Sequence, residues 1–209
     1  MARPVFGRSD AAEDAVPRLA HFDRDRSLVE AAKRDPARFD ALYRRYLAQV
    51  YSYAYYELGD HHAAEDATER TFLSALANLG RFQERARPAD GSGASTFRVW
   101  LFRIARNVVL NERRTMRRHP AEPLADSAAA VIADPLDVEG HAVRHEEAIA
   151  AWHAVGRLPG DRRRALVLRF VDEMSTAEIA GVLGKTEGAV RVLIHRALRS
   201  VAKDLGTTR

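Results

Sequence analysis

The 209-residue sequence contains no cysteine, which excludes disulfide frameworks, thiolate zinc sites and cysteine nucleophiles. It also lacks a long apolar run, since the longest uninterrupted one, residues 128–133, is far shorter than the ~18 residues of a membrane span. The first 26 residues have no apolar segment typical of a secretory signal. No segment shows the alternation of a half-buried strand. We therefore expect an all-α, cytoplasmic protein.

Charge is unevenly distributed along the chain. The net charge is only +4, yet residues 97–119 carry +6, residues 120–147 carry −6 and residues 157–209 carry +5. Most of the basic residues are arginines, whose planar guanidinium suits paired contacts with phosphates and guanine edges. Two basic segments separated by an acidic one indicate two surfaces for nucleic acid.

Apolar periodicity predicts two small helical domains joined by a flexible linker. The predicted order is a mobile tail (1–26), a first domain (27–119), an acidic linker (120–142) and a second domain (143–209). The domains contain helices from Asp60 to Leu79, from Phe97 to Arg118, from 143 to 156 and from Pro159 to Val171, with a Gly/Pro-containing loop over 81–96. One further helix carries the stripe Phe39, Tyr43, Tyr46, Val50 and Tyr53, where core packing is favoured over base stacking.

The clearest motif lies near the C-terminus. Ser175 and Glu178 form a capping box, Gly184 ends a short helix, and a longer helix runs from Glu187 to Leu205, which together match a helix-turn-helix. The outward face of the longer helix carries short and basic residues suited to a major groove: Gly188, Val192, His195, Arg196, Arg199 and Lys203. An ordinary basic helix at a domain surface is the alternative.

The helix from Phe97 has a core side and a basic side. The basic side carries Arg103, Arg106, Asn107, Arg114 and Arg117. Trp100 lies between the two sides, where it could stack on an unpaired base. A solvated face with a core tryptophan explains the same pattern.

No segment of the sequence has the residue spacing of a known enzyme motif. Gly184-Lys185-Thr186 resembles the end of a phosphate-binding loop, but Ile179 occupies the position where that motif requires glycine. The histidine clusters at 61–62 and at 141–145 follow no recognised zinc pattern. We predict no catalytic residue, metal or cofactor.

Three strings in order resemble one family. Phe97-Arg-Val-Trp-Leu-Phe-Arg-Ile-Ala-Arg-Asn107 resembles region 2 of bacterial RNA polymerase sigma-70 factors, and is closest to the extracytoplasmic-function (ECF) group. Residues 64–72 are similar to the family's polymerase-binding helix. Leu158-Pro159, Arg169, Glu187-Gly-Ala-Val-Arg191 and His195-Arg196-Ala resemble region 4.

The resemblance implies a sigma factor that binds the β and β′ subunits of core RNA polymerase and promoter DNA, and that an anti-sigma factor inhibits. The implied polymerase contacts are Asp66, Glu69, Thr71 and Phe72, although Glu69 stands where the family usually has glutamine. The implied contacts with the melted minus-ten element are Trp100, Arg103, Arg106, Asn107, Arg113 and Arg114. Contacts with the minus-thirty-five duplex are assigned to Arg169, Gly188, Arg191, Val192, His195, Arg196 and Arg199.

Two other functions stay open from sequence. A stand-alone helix-turn-helix regulator would bind duplex operator as a dimer, with its N-terminal domain used for sensing or dimerisation. A nucleic-acid-modifying enzyme would need a catalytic cluster that the motifs do not supply.

Overall fold

The computed structural model describes residues 24–84, 95–118 and 150–207, and all regular structure within these ranges is helical. The remaining residues lie outside this description, including most of the predicted tail, residues 85–94 of the predicted loop, the linker and residues 143–149. The α-helices are α1 (Arg26–Arg34), α2 (Asp40–Leu58), α3 (His61–Asn78), α4 (Thr96–Arg118), α5 (150–156), α6 (Gly160–Phe170), α7 (Thr176–Leu183) and α8 (Glu187–Thr207). Short 3-10 helices cover Pro36–Phe39 and Leu79–Arg81.

Local capping signals set several of the helix ends. The Asp60 side chain accepts a hydrogen bond from the Ala63 amide at 2.7 Å, which confirms the predicted start of α3. Ser175 and Glu178 make the reciprocal bonds of a capping box at the start of α7. Gly184 ends α7 in the left-handed conformation (φ 66°), which favours glycine.

Two local predictions are wrong in detail. The stripe from Phe39 to Tyr53 is not one helix, because Phe39 closes the 3-10 helix that begins at Pro36, and α2 starts at Asp40. Pro159 is the N-cap of α6 rather than its first helical residue. Tyr46 and Tyr53 are fully buried in the core, as the packing interpretation predicts, whereas Tyr43 is 38% exposed.

The N-terminal group (α1–α4) and the C-terminal group (α5–α8) share one continuous core. Phe97 and Phe102 of α4 belong to the same buried cluster as Leu168 of α6 and Ile179 of α7. The contact between the groups is made by α7 packing on α4 and by α6 packing on α2. Within the described ranges, no helix is both long and apolar enough to cross a membrane.

A buried polar cluster ties α2 to the start of α4. Both the Tyr46 hydroxyl and the Ser95 hydroxyl donate to the carboxylate of Asp25, and Arg45 pairs with that carboxylate at 3.1 Å. Burial and the neighbouring Asp25 charge raise the pKa of Tyr46 to about 12, so the phenol stays protonated and keeps donating. The cluster therefore fixes the beginning of the predicted nucleic-acid helix.

Candidate functional site

The α8 residues that the sequence assigns to the minus-thirty-five duplex lie on an exposed side of that helix. Its side chains are exposed while Val190 and Ala197 on the opposite face are fully buried. Thr186 accepts a hydrogen bond from the Ala189 amide and so caps the helix after the turn. The exposed residues that this face brings together are Gly188, Arg191, Val192, His195, Arg196 and Arg199. These side chains are therefore accessible on one side of α8.

Arg169 belongs to a different helix and lies in the last turn of α6. Its Nη1 donates to the Met174 carbonyl at 2.9 Å, across the turn that leads into α7. One edge of the guanidinium thus stabilises the turn, while the residue as a whole stays exposed.

The basic side of α4 is partly covered, in contrast to α8. Arg103 donates from Nε to the Gly181 carbonyl of α7 at 2.6 Å. Arg113 pairs with Glu57 at 3.1 Å, and Arg106 is half-buried with its Nε lacking a hydrogen-bond partner. Asn107 and Arg114 are exposed, and Trp100 packs on Phe82 and Phe97 with ring centroids 5.1 and 5.6 Å away.

A groove between α2 and α3 is an apolar feature that the sequence did not reveal. It has a volume of about 810 Å³. Leu73 at 58%, Leu76 at 39% and Tyr43 at 38% expose their side chains along it. Phe72 forms its floor, where its ring meets that of Tyr43 with centroids 4.8 Å apart. Exposed apolar side chains grouped in this way are typical of protein docking sites.

The four predicted polymerase contacts divide between surface and core. Asp66 and Glu69 are exposed on α3, and Glu69 lines the groove. Thr71 and Phe72 are buried at 1% and 5% exposure, and the Thr71 hydroxyl donates to the Ala67 carbonyl. Thr71 is therefore placed to support the helix from inside.

The sequence analysis also did not predict the charged residues that pair between the N-terminal and C-terminal groups of helices. The carboxylate of Glu57 has no exposed surface and pairs with Arg163 at 3.0 Å and with Arg164 at 3.4 Å, in addition to Arg113. Arg98 of α4 and Glu178 of α7 form another such pair, with Nη1 of Arg98 3.7 Å from Oε1 of Glu178. The only local signal for these pairs is a glutamate inside the tyrosine-rich apolar run of α2.

His61 and His62 form the first of the two histidine clusters in the sequence, and each has a different neighbour. The Nδ1 of His61 lies 2.6 Å from the Tyr51 hydroxyl, and its ring packs on Tyr55. His62 faces Glu65 at the surface. Among the described residues no group of three or more potential metal ligands comes together.

Comparisons with known proteins match both groups of helices. The family model described as Sigma-70 region 2 matches residues 42–119, and the one described as Sigma-70, region 4 matches residues 149–201. The chain is 35% identical over 181 residues to the ECF RNA polymerase sigma factor BldN of Streptomyces coelicolor, covering 85% of this chain and 64% of that protein. It is 33% identical over 183 residues to SigL of Mycobacterium tuberculosis, also an ECF sigma factor, covering 86% of this chain and 97% of that one.

A solved structure shares the fold. The sigma factor RpoE of Bartonella quintana, in complex with the anti-sigma factor NepR, aligns with a TM-score of 0.60 at 21% identity, covering 82% of this chain and 98% of that chain.

Proposed function

The chain belongs to the ECF RNA polymerase sigma factors, and from that membership we propose how its surfaces divide the work of promoter-specific initiation. The face of α8 contacts the minus-thirty-five duplex, the basic side of α4 contacts the melted minus-ten strand, and the groove between α2 and α3 binds core RNA polymerase. The observation that carries the proposal is the exposed helix α8, capped by Thr186, on a chain that also carries a region 2 match.

The α8 face supplies the chemistry for base contacts. Arg196 and Arg191 offer guanidinium groups for guanine edges or phosphates. Val192 is 48% exposed and apolar, which suits contact with a thymine methyl group rather than a hydrogen bond. Gly188 allows close approach of the helix to the groove wall. One such helix buries too little surface for tight binding alone, so the polymerase supplies a second anchor through effective concentration.

The minus-ten surface combines stacking and charge. Trp100 presents one edge of an aromatic cluster to the basic side of α4. Arg103, Arg106 and Asn107 follow it at helical spacing, so that an unpaired base on the ring would place the adjoining phosphates near guanidinium groups. Arg113 and Arg114 extend the same surface by two turns.

The α2–α3 groove is the proposed polymerase contact. Apolar side chains from both helices line it, and Arg44, Glu65 and Glu69 lie at its polar edge. Its size and composition suit a helical element of another protein, laid with its apolar side inward. The partner is core RNA polymerase, through its β and β′ subunits. Phe72 is buried at the base of the groove, where it positions Tyr43 and Leu73.

Leu73→Asp tests the groove directly. Leu73 is 58% exposed, so a new carboxylate there should leave the fold intact while placing a charge against the apolar face of the polymerase element. We expect the affinity for core polymerase to fall about tenfold or more, a loss of ~1.4 kcal/mol. Ala77→Asp, one turn further along the same exposed helix surface and outside the groove, is the matched control.

The measurement is titration of core polymerase with labelled chain, accompanied by thermal unfolding of both variants. Equal affinity for Leu73→Asp, Ala77→Asp and the unmodified chain would place the polymerase contact elsewhere.

Regulation and location follow from the same proposal. An anti-sigma factor is the expected inhibitor, because RpoE of the same fold is found with NepR. The chain acts in the cytoplasm, where polymerase and promoter are, and directs an enzyme without carrying catalysis of its own. A stand-alone regulator is not favoured, because such a protein has no use for a region 2 domain.

A further inference from the structure

A cavity of about 410 Å³ lies between the C-terminal end of α4 and the start of α6, and it shares no lining residue with the α2–α3 groove. Small-molecule sites usually have volumes of ~300–1,000 Å³, so the cavity is large enough for more than a single ion. Five arginines line it: Arg113, Arg114 and Arg117 of α4, and Arg163 and Arg164 of α6.

The positive charge of these arginines is compensated only in part. Glu57 is shared by three of them, and Arg164 also pairs with Asp161, which Lys185 contacts at 3.0 Å. Five arginines thus face two carboxylates, which leaves an excess of three positive charges around the cavity. An anion that enters the cavity reduces the repulsion among these like charges.

Arg114 and Arg117 are the arginines of this cavity that are available to a ligand. Both are exposed, and neither pairs with a carboxylate in the part of the chain that the structure describes. Arg114 donates only a long hydrogen bond, of 3.4 Å, to the side chain of Asn111. The two guanidinium groups lie one helical turn apart, which suits neighbouring phosphate groups on one ligand.

The buried side of the cavity adds positive potential. Arg164 is 7% exposed, and its Nε makes no hydrogen bond, although it lies 3.4 Å from Glu57. Its guanidinium lies beside the first residue of α6, since an ideal Cβ placed on Gly160 would be 3.3 Å from Nη1 of Arg164. The N-cap of α6 is Pro159, whose side chain cannot accept hydrogen bonds from the first helical amides. Those amides and the helix dipole favour an anion at the same place.

We propose that this arginine cavity binds a free small molecule that carries two or more adjacent phosphate groups. One phosphate group carries a charge of only about −1.5 to −2 at pH 7, so two or more are needed to match the excess positive charge. Arg114 and Arg117 bind the phosphates directly. The inner arginines keep Glu57 and contribute through their charge.

Adjacent phosphates also occur along the melted promoter strand, and Arg114 belongs to the proposed minus-ten surface. A bound oligophosphate should therefore compete with single-stranded minus-ten DNA for that arginine. This consequence rests on the proposed function, whereas binding of the small molecule does not.

Calorimetric titration of the full-length chain with sodium tripolyphosphate, at constant ionic strength, tests the site. Arg117→Gln should weaken binding about tenfold, as expected when a hydrogen bond between charged groups is lost. Arg118→Gln is the matched control, because Arg118 is the next residue of α4, is also exposed and does not line the cavity. It removes the same charge and should bind tripolyphosphate as the unmodified chain does.

Gly156→Asp is a second variant that blocks the cavity instead of removing an arginine. Gly156 lines the cavity, and no atom lies within 4 Å of a Cβ added there, so the new carboxylate has room among the arginines. It should abolish tripolyphosphate binding. Gly80→Asp adds the same charge at an exposed position outside the cavity and should leave binding unchanged. Thermal unfolding of each variant checks that the fold is retained.

Two results would overturn the site. Equal losses for Arg117→Gln and Arg118→Gln would show attraction to net charge alone. No binding of tripolyphosphate, together with binding of a single-stranded oligonucleotide that Gly156→Asp weakens, would show that the cavity takes DNA phosphates and not a free small molecule. The titration uses neither polymerase nor promoter, so a chain that binds tripolyphosphate but supports no transcription would refute the proposed function and leave the cavity site standing.

Discussion

Asp172 is a carboxylic acid in surroundings that favour its neutral form. It is 2% exposed, and neither carboxylate oxygen has a hydrogen-bond partner. Burial raises its pKa well above the ordinary value, and the charge of Arg98 offsets this only in part. An unfolded aspartate titrates near pH ~3.9, so the folded state gives up stability as the pH rises from there through the raised folded-state pKa.

Asp172→Asn removes that penalty. Relative to the unmodified chain, the free energy of unfolding should be higher at pH 7.5 and similar at pH 4, with a gain of ~1.4 kcal/mol for each unit of pKa elevation that the pH has crossed. The measurement is denaturant unfolding at both pH values. Glu173→Gln, an exposed neighbour, is the control and should change stability by less than ~0.5 kcal/mol. A variant no more stable than the unmodified chain at pH 7.5 would show that Asp172 carries its charge without cost.

For single helices, the most specific prediction concerns α8. Arg196→Ala removes an exposed guanidinium from the proposed duplex face while leaving the buried side of α8 untouched. We expect run-off transcription to fall by the equivalent of ~1–3 kcal/mol on promoters with an intact minus-thirty-five element, and much less on promoters where that element is scrambled. Equal losses on both promoters would refute base recognition by Arg196.

The control for that variant is Arg157→Ala. Arg157 is an exposed arginine of the same domain that is not among the assigned minus-thirty-five residues, and it pairs with Asp204, near the end of α8, at 3.3 Å. Its loss should leave both promoters almost unaffected, because exposed ion pairs contribute little to stability.

Elements were predictable where their determinants are local. Asp60, the Ser175–Glu178 capping box and Gly184 each act within four residues, and the structure confirms all three. Pro36 starts a short 3-10 helix that ends at Phe39, which is also a local effect. Because the apolar stripe continues from Phe39 into α2, periodicity alone wrongly predicted one helix.

The exposed residues of α8 were also predictable from sequence, whereas the ion pairs between the two groups of helices were not. A helical face follows from spacing, so the α8 residues could be grouped from sequence. Glu57 and Arg163 are 106 residues apart, and nothing in either neighbourhood marks the other as its partner. The same limit applies to the groove, which arises only when Tyr43 of α2 and Leu73 of α3 come together.

Across the whole molecule, the arginines of the two basic segments have two roles. The excess positive charge over 97–119 and 157–209 indicates nucleic-acid surfaces, yet some of these arginines pair with a buried carboxylate between the two groups of helices. An arginine paired with a buried carboxylate is unavailable to a phosphate until the pair opens. Charge therefore indicates candidate surfaces, and the packing determines which of their arginines are exposed.

Run-off transcription by core RNA polymerase on a library of promoter fragments, with and without the chain, tests the central claim most directly. The account predicts start sites that appear only with the chain and that share one sequence element near minus ten and another near minus thirty-five. Absence of any stimulation, together with tight binding of duplex DNA by the chain alone, would contradict it and indicate a stand-alone regulator.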